Sequence, residues 1–422
     1  MKLSETLRER GYVYQFSAEK LEDIVDGPKR ILYHGVDPTA DSMHVGQLMG
    51  MMVLRRFVEA GHELILLIGD GTGMVGDPGG KSADRNLLEP EVVMQNGLKL
   101  KSQFEKLLGD VPLKAMVHNS EWLSQVNYME FLRDIGKHFT VNEMIKRDTI
   151  RPRLETPDQS ISYTEFSYML LQAYDYLELH KRYDCDLQVG GSDQWGNMIP
   201  GIDLIRRKTG DQAYVFSWPL VIDKKTGKKF GKSEGNAIWL DPLKTSPFQF
   251  YQFWLNAEDD AMEEYLLKMT LLTKEGIDVL MHRHKLNPGE RAAQKKLATE
   301  VTTLVHGSEV TQHIKDASEV LFGDADITLL DTDGLFQLTY WSSVPLCEVR
   351  VGESILDVVV RAGLASSKRE ARQFIADGAI TLNKKKPDES MNFSESDFIH
   401  KESFHIGVLK RGKRHVSVLV LK

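Results

Sequence analysis

Residues 62–69 read HELILLIG, with Leu64 to Ile68 apolar without interruption. A strand with one wet face alternates apolar and polar residues. One that is apolar throughout is buried on both faces, which points to a parallel sheet covered by helices. The neighbouring stretches agree. RILYHGVD (30–37) reads as a second strand, and HVGQLMGMMVLRRFVEAG (44–61) as a helix opened by Asp41 or Ser42 and closed by Gly61. KAMVHN (114–119) and CDLQVGG (185–191) read as later strands with helical stretches between them. Alternating β and α predicts right-handed βαβ units and an α/β fold whose ligand site lies at the strand C-termini.

The pattern changes after YVFSWPLVID (214–223). The expected organisation is a catalytic α/β domain over 1–223, a mobile lysine- and glycine-rich loop with linker over 224–245, and a helical domain over 246–322. A linker over 323–345 and a small final domain over 346–422 complete it. Net charge is −8, but residues 361–422 hold 13 Lys+Arg against 7 Asp+Glu, a local +6 that leaves −14 for the rest. An acidic body with a basic tail suggests that the tail meets RNA, and a merely solvated basic face remains the alternative. Two cysteines cannot build a disulfide framework. The charged start MKLSETLRERGY has no apolar signal core, and no run approaches the roughly 20 apolar residues that cross a bilayer. A cytoplasmic protein without a membrane partner is expected. No Cys/His cluster has metal-ligand spacing, so no structural metal is expected.

Gly71, Gly73 and Gly76 spell G-x-G-x-x-G directly after HELILLIG. A dinucleotide fingerprint needs a helix to begin at the third glycine and an acidic residue ending a second strand about 20 positions on. Here Asp77-Pro78-Gly79-Gly80 follows instead, and Glu91 sits in NLLEPEVV, which opens a helix. A nicotinamide site is therefore a poor reading. The glycines still imply a loop that approaches a ligand closely.

The segment YHGVDPTADSMHVGQ (33–47) fits nucleotide chemistry better. His44 and Gln47 share a face in the first helical turn, and Gly46 between them leaves room for a flat ring. Free N–H groups at a helix start attract phosphate. A plain strand–helix turn with a capping His is the competing reading. Farther on, Tyr168, Gln172 and Asp175 form one polar stripe on a helix over 164–178 whose neighbours are apolar, which is costly unless the polar groups find partners.

HVGQ is similar to the first signature of class I aminoacyl-tRNA synthetases, and KFGKS (229–233) to their second. With GSDQWGN (191–197) and SYTEFSYMLLQAYDY (162–176), the whole chain resembles the bacterial-type tyrosyl-tRNA synthetases. A tryptophan-specific relative and a small-molecule nucleotidyltransferase are the alternatives. The resemblance implies a Rossmann-like parallel-sheet catalytic domain, then an α-helical domain, then a small α+β RNA-binding domain. It implies L-tyrosine, ATP with Mg2+ and tRNA(Tyr) as substrates, and a homodimer with FLRDIGKHFTVNEMI (131–145) as interface helix.

By the same resemblance, Tyr33 and Asp175 hold the substrate phenol and Tyr168, Gln172 and Asp77 its ammonium, with Gln188 and Gln194 completing the polar wall. Thr39, His44 and Gln47 meet triphosphate and adenine. Gly35, Asp37, Gly46 and Gly191 belong to the ATP site, where Asp193 binds ribose. Lys229, Lys232 and Ser233 close over pyrophosphate, and Lys81 and Arg85 add charge from a second loop. Arg369, Arg372, Lys384, Lys385, Lys386, Lys410, Arg411, Lys413 and Arg414 face tRNA. The chain departs from the family pattern at Gln47, where His is common, and at His34, often Cys.

Overall fold

The computed structural model describes residues 1–422 except 78–87, 110–112, 148–149, 157–159, 223–229, 231, 234–235 and 413. The chain forms two compact units, one of residues 1–240 with 260–282, the other of 241–259 with 283–422.

The first unit is built on a six-stranded sheet of β1 (Gln15–Phe16), β2 (Ile31–Val36), β3 (Glu63–Ile68), β4 (Ala115–His118), β5 (Leu187–Gly191) and β6 (Tyr214–Trp218). Their order is β1-β6-β5-β2-β3-β4, parallel except for β1 against β6. Leu64 to Ile68 are all buried, as the unbroken apolar run requires. From β2 the chain steps outward to β3 and β4, then returns to the other side of β2 for β5 and β6. The reversal opens a crevice at the C-terminal ends of β2 and β5, where open α/β sheets bind ligands.

The helix after β2 spans Val45–Glu59, and Gly61 follows at φ +95°. Its N-cap is His44, and neither Asp41 nor Ser42 opens it. Asp41 pairs with Lys99 at 3.0 Å, and the Ser42 hydroxyl donates to the Met43 carbonyl. The polar stripe lies on a longer helix than expected, Tyr163–Tyr183, capped by Ser162 and ended by Asp184 in the left-handed region at φ +55°. The interface segment 131–145 is not one helix. Gly136 and the β-branched Thr140 and Val141 break it into Tyr128–Asp134, a 3-10 turn Gly136–His138 and Val141–Met144.

The compact units cut across the expected boundaries. Residues 260–282, expected within a helical domain, cluster with the first unit. Arg10 drives this: its guanidinium donates to the carbonyls of Leu267 at 2.8 Å and Thr270 at 2.9 Å, at the end of the helix Met262–Met269. The Tyr12 hydroxyl donates to the Lys268 carbonyl at 2.9 Å. These donors satisfy carbonyls that a helix C-terminus leaves open. Beyond β6, β7 (Lys232–Ser233) and β8 (Asn236–Ala237) make a two-stranded ribbon.

The second unit packs helices Pro247–Leu255, Ala292–His306 and Ser308–Phe322. The stretch expected to be a linker carries a helix Thr332–Phe336 and a π-helical turn Gln337–Trp341, with Leu330, Leu335 and Leu338 buried. Its final part is a five-stranded sheet of β9 (Leu346–Val349), β10 (Ile380–Leu382), β11 (Ile399–Lys401), β12 (Phe404–Arg411) and β13 (His415–Leu421). Helices Ile355–Arg361 and Lys368–Ala376 share an apolar core with it, including Val349, Val358, Val359, Ile380, Leu409 and Leu419.

Candidate active site

The crevice between β2 and β5 opens into a cavity of about 330 Å³. Tyr33, Gly35, Asp37, Thr39, His44, Gly46, Gln47, Asp77, Tyr168, Gln172, Asp175, Gln188, Gly191, Asp193 and Gln194 all line it. Residues scattered over some 160 positions thus share one wall. Lys81, Arg85, Lys229 and Lys413 lie outside the described residues, and at Lys232 and Ser233 the structure describes the backbone alone.

Among the described residues, two polar atoms of this lining have no partner. The Tyr33 hydroxyl and the Gln188 Oε1 are buried and make no hydrogen bond to any described residue, and their residues are 1% and 3% exposed. An unmade buried hydrogen bond costs about 1–3 kcal/mol, so each group calls for a ligand atom. Burial drives the Tyr33 phenol pKa well above its ordinary value, with the Asp175 charge adding to it, so Tyr33 stays a neutral donor. Asp175, 2% exposed, accepts from Trp122 Nε1 at 2.7 Å and Asn119 Nδ2 at 3.0 Å. Burial raises its carboxyl to about 8 even against these two donors, and Asp37 and Asp70 push it the same way. A neutral hydroxyl donor beside a carboxyl group suits a ligand hydroxyl that both donates and accepts.

Three more acids line the cavity, Asp37, Asp77 and Asp193. Asp37 accepts from the Thr72 hydroxyl at 2.7 Å and the Tyr168 hydroxyl at 2.8 Å. Asp77 accepts from Gln194 Nε2 at 2.7 Å and Asn197 Nδ2 at 3.2 Å. Asn119 joins the first two acids, because its amide donates to both Thr72 Oγ1 and Asp175 while its oxygen accepts from the Gly71 N–H. Four acidic side chains and, among the described lining residues, no lysine or arginine make this a site for an amino group. Sequence reasoning missed Thr72, Asn119, Trp122 and Asn197. Asn119 directly follows β4, and its place at a strand C-terminus could have flagged it.

The other side of the cavity is glycine-lined. His44 Nδ1 accepts from the Gly46 N–H at 3.1 Å, and Gln47 Oε1 accepts from the His44 N–H at 3.1 Å. With Nδ1 so engaged, the neutral ring carries its proton on Nε2. A Cβ on Gly46 would sit 2.7 Å from the Phe230 carbonyl oxygen, so glycine is required there. The start of this helix is further joined to the stretch that follows the second signature, by Val45 N–H to Ile238 O at 2.9 Å and Leu240 N–H to Met43 O at 2.8 Å. A Cβ on Gly191 would lie 2.8 Å from Asp193 Oδ1. His34 is half-buried on the opposite face of β2 from Tyr33, with Nδ1 donating to the Val189 carbonyl at 3.1 Å and its ring 5.4 Å from Trp218. Burial lowers its pKa, so it is a neutral group.

In the second unit, Arg369, Arg372, Lys385, Lys386 and Arg414 are exposed. Two further expected RNA contacts, Lys384 and Lys410, also donate within the protein. Lys384 donates to the Asp324 carbonyl, and Lys410 to the Gly323 carbonyl at 3.2 Å, just past the helix ending at Phe322. Desolvation lowers the Lys410 pKa. The Arg411 guanidinium stacks on Phe374 at 4.7 Å.

Residues 27–323 match the family model of class I tRNA synthetases for W and Y, and residues 337–419 match the C-terminal domain of SYY-like tyrosine–tRNA ligases. The chain is 41% identical to tyrosine–tRNA ligase 1 of Vibrio parahaemolyticus, covering 98% of this chain and 97% of that one. It is 42% identical to the tyrosine–tRNA ligase of Roseiflexus castenholzii, covering 98% of each. Among solved structures, a C-terminally truncated Aspergillus nidulans mitochondrial tyrosyl-tRNA synthetase superposes with a TM-score of 0.67 at 31% identity, over 74% of this chain and 92% of that one. The chain belongs to the tyrosine–tRNA ligase family of class I tRNA synthetases.

Proposed function

We propose that the cavity holds L-tyrosine and the adenosine end of ATP side by side, joins them as tyrosyl-adenylate, and then passes tyrosine to the 3' terminal adenosine of tRNA(Tyr). The observation that carries this is the pair of unpartnered buried atoms, Tyr33 OH and Gln188 Oε1, beside Asp175. The substrate phenol donates to Asp175 and accepts from Tyr33. Its ammonium group meets Asp77, Tyr168 and Gln172, with Gln194 aligned by Asp77.

ATP lies toward Gly35, Asp37, Gly46 and Gly191, its ribose on Asp193. His44, through Nε2–H, meets phosphate together with Thr39 and Gln47. The tyrosine carboxylate attacks the α-phosphorus, and the new O–P bond forms as the bond to the pyrophosphate oxygen breaks. The electron pair leaves with pyrophosphate, as its Mg2+ complex arriving with the nucleotide. Such an in-line displacement needs positioning and charge neutralisation more than covalent help. Lys81, Arg85, Lys229, Lys232 and Ser233 supply that neutralisation, which the acidic wall of the cavity lacks.

Exposed Arg369, Arg372, Lys385, Lys386 and Arg414 contact the tRNA backbone. A homodimer is supported by exposed apolar residues within and around segment 131–145, Tyr128, Met129, Val141, Ile145, Leu154 and Tyr163. A cytoplasmic location agrees with two buried unpaired thiols, Cys185 and Cys347. Equilibrium dialysis of the chain against L-tyrosine, L-phenylalanine and L-tryptophan tests the pocket. Tyrosine should bind at least tenfold more tightly than phenylalanine, since phenylalanine leaves both the Tyr33 hydroxyl and Asp175 without the ligand hydroxyl, at about 1–3 kcal/mol for each buried group. Equal affinities, or preference for tryptophan, would remove the assignment.

A further inference from the structure

Strands β11 and β12 form a hairpin that turns over Glu402-Ser403, with Glu402 at φ +48°. The register sets His400 directly opposite His405, and both are exposed. Opposed cross-strand residues bring their Cβ atoms to about 4.5–5.5 Å. Here the two Nδ1 atoms lie 2.6 Å apart and the ring centroids 4.7 Å apart.

The tautomer of one ring is fixed. His400 Nε2 lies 2.8 Å from the Glu395 carbonyl oxygen. A carbonyl only accepts, so Nε2 carries the proton, and the neutral ring presents a bare Nδ1 lone pair to His405. An outer carbonyl that orients an imidazole in this way is the usual support of a metal-ligating histidine. Two imidazole nitrogens bound at 2.0–2.1 Å to one ion are about 3 Å apart, so a small rotation of the exposed rings suffices. The hairpin is held from its other side, because Lys401 donates to the Leu330 carbonyl at 2.5 Å and to that of Thr328 at 3.3 Å.

We propose that His400 and His405 form a two-imidazole binding site for a divalent transition cation of the Cu2+, Ni2+ and Zn2+ class. In the free protein a neutral His405 donates its Nδ1 proton to His400. The ion takes both Nδ1 lone pairs, and that proton moves to His405 Nε2, so no net proton is released. Among the described residues no group of three or more His, Cys, Asp and Glu side chains converges to hold a metal, so water completes the coordination shell. Imidazole nitrogen selects this class over Mg2+ and Ca2+, and Cu2+ should bind most tightly. The site is therefore separate from the Mg2+ that arrives with ATP.

The test is titration of the chelator-treated full chain with Cu2+ and Zn2+, followed by calorimetry and by electron paramagnetic resonance of the copper form. One equivalent with two-nitrogen coupling is expected. His400→Gln and His405→Gln should each weaken binding about tenfold or more, since even outer-sphere partners of metal ligands cost 10–100-fold. Their unfolding midpoints and tyrosine-dependent pyrophosphate exchange should match the parent. If a variant folds poorly, the ring resonances of His400 and His405 in the parent chain should be the first to respond to Zn2+. Unchanged affinity in both variants, single-nitrogen coupling, or first response at other histidines would overturn the proposal.

Discussion

Replacing Tyr33 with Phe removes one oxygen from a fully packed ring, and the structure gives the change opposite signs in stability and in function. The Tyr33 hydroxyl is buried without a hydrogen bond to any described residue. Such an orphan costs about 1–3 kcal/mol, so Tyr33→Phe should stabilise the first unit by roughly 1 kcal/mol, even after allowing for partial relaxation. Its ring still packs on Tyr176 at 5.2 Å, so no cavity opens. In the tyrosine complex the same hydroxyl is a donor to the substrate phenol. Losing it should cost a net 0.5–1.5 kcal/mol, or about two- to twelvefold in kcat/KM for tyrosine. Phenylalanine leaves that hydroxyl unpaired in the parent enzyme, so its kcat/KM should hold or rise in the variant. The tyrosine-to-phenylalanine ratio therefore falls from both sides. Denaturant unfolding and pyrophosphate exchange with each amino acid measure the two halves. A destabilised variant with an unchanged ratio would refute the reasoning, because the hydroxyl would then be a structural group.

Lys232→Ala should slow adenylate formation by about 2–4 kcal/mol while leaving tyrosine affinity nearly intact, as removal of one donor acting on developing phosphate charge does. Pre-steady-state kinetics would show it, and an unchanged activation rate would count against the lysine. Burial holds the Asp175 carboxyl at about 8, so this group is largely protonated at pH 7. Because the folded value lies above the ordinary carboxylate value, this group's contribution to stability is greatest below about pH 4 and is lost as pH rises through 8. Tyrosine binding to the carboxylate should release up to one proton at pH 7 and tighten between pH 6 and 8; calorimetry in two buffers finds no release if Asp175 is not the acceptor. Replacing Arg369, Arg372, Lys385 and Lys386 with Gln should lower tRNA affinity and flatten its salt dependence, by about 0.7–0.9 in slope for each phosphate that is no longer neutralised. An unchanged slope would mean that these exposed groups do not touch the backbone.

What could be read from the chain was what local chemistry writes into it. Leu64 to Ile68 declared a doubly buried strand, and the Tyr168, Gln172 and Asp175 stripe declared a helix face turned into a polar cavity, and both stand in the structure. Less legible were features that depend on distant partners. Asn119 looks like any residue after a strand, and only folding sets its amide between Asp175 and Thr72. Arg10 gives no sign in sequence that it will cap a helix some 260 positions away. The sequence leaves His44 between a phosphate ligand and a helix cap; it caps its own helix, since a nitrogen lone pair can serve where an oxygen usually does, and it also lines the cavity. Lys384 and Lys410 look like any basic residues of a basic tail until Gly323 and Asp324 present their carbonyls.

The most direct test of the account is ATP–pyrophosphate exchange by the full chain with each of the twenty amino acids in turn. Tyrosine should drive exchange far above every other amino acid, with phenylalanine behind it by at least the tenfold that two buried groups left unpaired imply. Exchange driven equally by phenylalanine or tryptophan, or by no amino acid, would contradict the assignment of the Tyr33–Asp175 pocket to a phenol.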